Sequence, residues 1–430
     1  MNKLKTLRWL LPALAAALLA AGCGGGGSDD DDSGGQLRLV NGTTDYASLD
    51  LYAGDTLKSQ DTASFAAGGY VKLDAATYVM ALKRNGSTTT ASSSSRTVSA
   101  GGTYTLLAYS TESSLRMAYL SDGEAAPAAG KAKLRVLNAA VEAGVLDTYI
   151  FQTDGVLADQ TPSVSNLATE SLSGYKEYAK GNYRVVVTAQ GSKTDVRLDL
   201  PTIALSDQQI VTLVVTATPG GVLVHGMLMN QRGEVVAQKN ASARLRLVAG
   251  TTANGTVSAK ANGVTLSAGL ASPAIVPYAL VPAGALTGEV RVNGGAAMPL
   301  PAFTAQPGAD LTLLVAGTPV APASYVLQDN NKPASNGNAK LRVAHGVNGL
   351  AGNLALTADY GMVASDIPFG SVSVAGSLAT GNAYRLEVTS PAAASRLYLN
   401  TEASLQSSRI YTVFMLGDAA APVGTLVRDR

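Results

Sequence analysis

The chain has 430 residues, of which 15% are charged and 46% hydrophobic, with a formal net charge of +1. That balance supplies no basic patch for nucleic acid, and a single cysteine rules out an intrachain disulfide framework. At roughly 100–150 residues per domain, a chain of this length calls for three or four domains.

Residues 1–22 start with Lys3, Lys5 and Arg8, continue through the apolar stretch Leu10 to Leu19, and close on Ala20-Ala21-Gly22. A basic start, a short apolar run and small residues before a cut are the layout of a secretory signal peptide. The run is interrupted and too short for a transmembrane helix, which needs about 20 apolar residues. It leads directly into Cys23, and the whole resembles the lipobox of bacterial lipoproteins, with Ala20 where Leu is usual. The resemblance implies cleavage before Cys23 and lipid on its thiol and amine. Gly24 rather than Asp in the next position implies sorting to the outer membrane. Removing residues 1–22 leaves 408 residues with 29 Lys+Arg against 31 Asp+Glu, and takes away Trp9, the only tryptophan.

Residues 23–35 follow as a lipidated Cys and a Gly/Asp-rich tether, Gly-Gly-Gly-Gly-Ser-Asp-Asp-Asp-Asp-Ser-Gly-Gly after the Cys. Such a composition makes a flexible, self-repelling spacer. A metal role for Asp29–Asp32 is the weaker reading, because the run has no fixed geometry for a ligand cage.

From there one opening recurs four times: Leu37-Arg38-Leu39-Val40, Leu134-Arg135-Val136-Leu137, Leu245-Arg246-Leu247-Val248 and Leu341-Arg342-Val343-Ala344. The spacings are 97, 111 and 96 residues. A second signature follows 66 to 77 residues later in each copy: Tyr104-Thr105-Leu106-Leu107, Val211-Thr212-Leu213-Val214, Leu311-Thr312-Leu313-Leu314 and Tyr411-Thr412-Val413-Phe414. Two ordered signatures repeated four times define tandem units. Between them lie short runs of Val, Leu, Thr and Tyr broken by Gly, Asn, Asp and Ser, as at Lys83-Arg84-Asn85-Gly86, which is strand-and-turn punctuation. About seven short strands per unit predicts an all-β fold of tandem immunoglobulin-like antiparallel β-sandwich modules. The expected modules are 36–127, 131–236, 240–334 and 338–430, with proteolysis-sensitive boundaries near 128–131, 237–241 and 335–338.

The units resemble a bacterial envelope family known as domain of unknown function 4397. The resemblance rests on the apolar-Arg strand, the following Asn41-Gly42, Asn138-Ala139 and His345-Gly346, and an Asp-x-Tyr strand at Asp50-Leu51-Tyr52 and Asp147-Thr148-Tyr149. Copy three departs with Ala249-Gly250 and Ser258-Ala259-Lys260, copy four with Leu354-Ala355-Leu356. It implies exported β-sandwich modules without a catalytic assignment.

Arg38 and Asp50, and Arg135 and Asp147, are each 12 residues apart. Strands joined by a turn would bring each pair together as a structural ion pair. The two histidines, His225 and His345, fall in different copies, so a shared metal site or triad is not expected. Ser173 and Lys176 form a lone Ser-x-x-Lys in a polar stretch without the partner motifs of a nucleophile site. Seven of the 17 tyrosines lie in copy one. Any single Tyr is first a core residue, but Tyr46 and Tyr52 are the expected exposed ligand contacts, with copy three a spacer.

These readings predict a non-catalytic, lipid-anchored cell-envelope protein in the form of a rod, with a binding, adhesion or spacer role and no cofactor or metal. Its partners would be the membrane, through the N-terminal lipid, and an envelope protein or glycan. The alternatives are an exported carbohydrate-active enzyme or hydrolase, which needs convergent carboxylates, and a periplasmic assembly partner.

Overall fold

The computed structural model describes residues 34–430. Cys23, the signal segment and the acidic run therefore lie outside the described residues. The protein is all-β, with two single-turn 3-10 helices at Val141–Ala143 and Leu157–Asp159 among its strands. The first strand, Gly34–Asn41, already includes the two glycines expected to end the tether.

Each of the four copies folds as two main sheets, and the third adds a two-stranded sheet of Gly284–Ala285 and Thr304–Ala305. In the first, one sheet runs Thr56–Ala63, Ser48–Ala53, Ala76–Arg84, Thr90–Val98. The other places Gly34–Asn41 between the short edge strands Ala66–Ala67 and Val71–Asp74 on one side and Thr103–Ser110 on the other, with Leu115–Ser121 beyond. The opening strand pairs parallel with Thr103–Ser110, and the remaining pairs in this module are antiparallel. The same parallel pair recurs in the other copies. Its register sets Arg38 opposite Thr105, Arg135 opposite Thr212, Arg246 opposite Thr312 and Arg342 opposite Thr412. The two repeated sequence signatures are thus one contact.

Alternation along the opening strand explains its composition. Leu37 and Leu39 enter the module's own core with Leu49, Leu51, Met80, Leu82 and Leu106. Arg38 and Val40 point the other way, yet both are buried. They are covered by the next module. Val40, Phe65, Leu107, Tyr109 and Leu120 of module one share an apolar cluster with Leu137, Val214, Met227 and Met229 of module two. Val248, Leu314 and Leu327 of module three do the same with Ala344, Phe414 and Leu416 of module four. The modules therefore stack face to face in two pairs, and the opening strands are near-continuously apolar because both their faces are buried.

The expected rod is corrected accordingly: each module keeps its own core, and two further apolar clusters join the modules in pairs. Contacts also join the pairs: Glu112 of module one accepts hydrogen bonds from Asn330 and from Lys340, and Arg430 donates to the carbonyl of Gly221 in module two.

Small residues toward or just past the end of the opening strand serve this stacking. A Cβ on Gly346 would lie 3.0 Å from Leu416 and 3.2 Å from Leu314 of the facing module. One on Gly250 would lie 2.9 Å from Leu416 across the same interface. The preceding polar residue fastens the next loop. Asn41 donates to the carbonyls of Tyr46 and Thr62, Asn138 to those of Gly144 and Leu167, and His345 Nδ1 accepts from the backbone of Val347.

Candidate functional site

Neither expected Arg–Asp pair forms, because the two residues of each pair lie in opposite sheets of the sandwich. Asp50 accepts hydrogen bonds from the backbone N–H of Asp61 and the side chain of Asn85. Asp147 accepts from the N–H groups of Asn166 and Gly191. Asp61 and Asn166 both have positive φ and sit beside register shifts in the edge hairpin. These carboxylates therefore clamp β-bulges, whose extra residue leaves backbone donors without ladder partners.

The arginines have other partners. Arg38 Nε donates to Thr105 Oγ1 at 2.8 Å, and Thr105 in turn donates to Asp122 at 2.5 Å. Arg246, Thr312 and Asp329 repeat the chain at 2.8 and 2.6 Å, and Arg342, Thr412 and Asp429 repeat it at 2.8 and 2.5 Å. A tyrosine closes the network in modules one and three, where Tyr70 and Tyr278 donate to the same Asp and stack on the Arg. In module two Gln231 follows the strand where the other copies have Asp, and Arg135 is left with Thr212 and the face of Tyr175. The Asp falls 17 residues after the Thr in the three complete copies. That spacing was visible in the sequence and is the signal the 12-residue reading missed.

In the second pair the networks interlock. Arg246 of module three binds Asp429 of module four at 2.5 Å, while Arg342 of module four binds Asp329 of module three at 2.9 Å. Arg342 also reaches Asp429 at 3.0 Å. All four side chains are at most 4% exposed. Burial opposes the charge on Arg246, but Tyr278, Asp429 and Asp329 outweigh it and hold its pKa above the usual value. Arg246 Nη2 is sealed without a hydrogen-bond partner. It is held by the rings of Tyr278 and Phe414 and by Asp329 at 3.7 Å. In the first pair Arg38 instead donates across the interface to the carbonyls of Asn230 and Gly233.

Beside the interlocked charges lies a cleft of about 630 Å³. One wall is the segment Pro273 to Tyr278 at the edge of module three, and the other is Leu416, Thr425 and Val427 of module four. Arg244 and Arg428 also line it. The register explains why it is open. In the first pair the corresponding place is filled by Phe65 of module one set edge-on against His225 of module two, 5.6 Å between rings. Counting along the paired strands, Pro273 stands where Phe65 does and Val423 where His225 does.

Both histidines are structural. His225 is 3% exposed and its Nδ1 accepts the N–H of Asn240. Burial, reinforced by Lys239, lowers its pKa to about 4. Burial also lowers that of His345, partly offset by the Gly352 carbonyl. In the unfolded chain His225 titrates near 6.5, so between pH 6.5 and 4 the unfolded state binds the extra proton. We therefore expect stability to fall as pH drops through that window and to level off below it. The His225 contribution should total about 3 kcal/mol at 1.36 kcal/mol per pKa unit. Urea unfolding at pH 7 and pH 4.5 checks this. A His225→Gln chain with the same pH slope as the parent would count against it.

Tyr46 and Tyr52 are half-buried rather than open contacts. Arg84 covers the ring of Tyr46 and Lys83 that of Tyr52. Ser173 accepts from the Val136 N–H, and Lys176 donates to the Ser163 carbonyl, so each is engaged apart from the other. Among the described residues no group of three or more His, Cys, Asp or Glu could hold a metal, and no helix is long and apolar enough to cross a membrane.

The fold defines a protein of tandem β-sandwich modules. The chain belongs to the family described as Domain of unknown function (DUF4397), which matches residues 35–149 and 243–351. No curated protein matches it. Among solved structures it is similar to the Bacillus anthracis TIE protein, at 12% identity over 66% of this chain and 50% of that one, with a TM-score of 0.15. The chain thus spans half the length of that protein. It is also similar to CBMbc of family CBM26 from Eubacterium rectale Amy13K, a structure in complex with maltoheptaose. That match has 12% identity over 43% of this chain and 92% of the other, with a TM-score of 0.16. Neither likeness is close enough to carry an argument about function.

Proposed function

We propose that this is a non-catalytic, lipid-anchored protein of the bacterial cell envelope, held at the outer membrane through Cys23, that binds an envelope protein or glycan. The observation that carries the reading is the use made of the recurring charges. Asp122, Asp329 and Asp429 accept from threonine hydroxyls, and the arginines join modules. Carboxylates so engaged serve a rigid presenting block better than acid–base chemistry, which needs a group free to take and release a proton.

Two measurements test it. Cys23→Ser should move the protein from the membrane fraction to the soluble fraction or leave an unprocessed precursor. Unchanged membrane fractionation and processing would remove the anchor. A pull-down of the mature chain on envelope proteins and cell-wall glycans should capture a specific partner, whereas turnover of a glycan without stable capture would favour the hydrolase.

A further inference from the structure

We propose that the cleft between modules three and four receives an added β-strand: an extended segment of a partner polypeptide, with small apolar side chains at alternate positions, laid antiparallel along the open edge Ala421–Arg428. This rests on the envelope-protein part of the proposed function and names how that partner is held. The first module pair shows what fills the equivalent place. There the sheet of module two does not stop at Val224–Asn230 but continues into Val235–Gln238. Gly226, Met227, Leu228 and Met229 face Gln238, Ala237, Val236 and Val235. Val235 packs against the apolar cluster that includes Val40, Phe65 and Leu107 of module one, and its strand lies beside Ala66–Ala67.

Shared register carries the comparison to the second pair. Thr212 faces Met229, and its counterpart Thr412 faces Val427. Gly424, Thr425, Leu426 and Val427 therefore stand where Gly226, Met227, Leu228 and Met229 do. Among the described residues the sheet of module four ends at this strand, and beside it lies the cleft of about 630 Å³. The far wall, Pro273 to Tyr278, is the counterpart of Phe65 to Tyr70. The backbone is turned the same way. Asp429 donates its N–H to Ile410, and bonding alternates along an antiparallel ladder, so Val427 and Thr425 bond inward. The N–H and C=O groups of Leu426 and Gly424 then point to the open edge, as those of Leu228 and Gly226 point to Val236 and Gln238. No charge or proline interrupts Gly424 to Val427, so nothing blunts the edge there. An incoming strand satisfies these backbone groups and sets the side chains opposite Thr425 and Val427 over the apolar wall of Ile275 and Pro277.

The probe is the chain's own strand, a fluorescein-tagged peptide Glu-Val-Val-Ala-Gln-Lys with the sequence of residues 234–239, titrated onto the purified full chain by fluorescence polarisation. We expect one site per chain, saturable below about 1 mM peptide. N-methylation at the position of Val236, whose N–H enters the ladder, should weaken binding about tenfold. N-methylation at the position of Ala237, whose N–H points away, should leave binding nearly unchanged. Thr425→Trp, which fills the groove from an exposed position, should abolish binding without moving the thermal midpoint of the chain. Amide exchange at Gly424 and Leu426 should slow when the peptide is bound. Absence of binding at about 1 mM peptide, equal loss with either methyl group, full binding by Thr425→Trp, or unchanged exchange at Leu426 would each overturn the proposal. So would a dimer, seen by sedimentation, that protects Leu426 by itself, since a second copy would then be the occupant. Envelope capture is scored apart from this. Capture without peptide binding sinks the strand site alone, and peptide binding without capture sinks the envelope-partner reading alone.

Discussion

Replacing Asp429 by Ala should lower the unfolding free energy by about 3–5 kcal/mol, the cost of leaving buried charge without its partner. Asp429 is the meeting point of Arg246, Arg342 and the Thr412 hydroxyl. Its removal deprives Arg246 of its close carboxylate and leaves two guanidinium groups, at most 4% exposed, to share Asp329. Gln231, which follows the corresponding strand in module two, provides the control. It bonds the backbone of Glu124 at a part-buried site, so Gln231→Ala should cost only about 1 kcal/mol. Urea unfolding followed by tyrosine fluorescence measures both. Equal losses would mean that the interlocked charges contribute no more than an ordinary hydrogen bond.

A chain ended after residue 334 should fail to remain a soluble monomer. Without module four, Val248, Leu314, Ala316 and Leu327 are uncovered as one apolar face, and Arg246 and Asp329 lose their cross-partners. A contiguous patch of that kind drives association. Sedimentation at several concentrations should show self-association or aggregation. A stable monomer would show that module three does not need its neighbour.

Much of the fold was legible because repetition amplifies weak local signals. Leu-Arg and apolar-Thr-apolar motifs are each short, but four ordered copies marked the strands that prove to be paired in parallel. The pairing between modules was not legible. A strand with Leu37 facing inward and Val40 facing outward reads the same whether its outer face meets water or another sheet, until the burial of Arg38 is seen. The partner of each Arg was missed for a related reason. Asp50 is near Arg38 in sequence but belongs to the opposite sheet, whereas Asp122 arrives from the end of the module, and Asp429 reaches Arg246 from another module altogether. The cleft depends on Pro273 and Val423 standing where the first pair has Phe65 and His225. That difference acquires meaning only once the modules are superposed by register.

The parallel pairing of the opening strand also decides how the protein bears load. Gln36 to Asn41 lie in register with Thr103 to Ala108, and Gly34 to Leu37 are paired on the other side with Val71 to Asp74. Tension applied at the N-terminus runs along this strand while its neighbours on both sides hold it. The hydrogen bonds are then pulled in shear and must rupture together instead of peeling one by one. A body tugged from that end is gripped along a strand held on both sides.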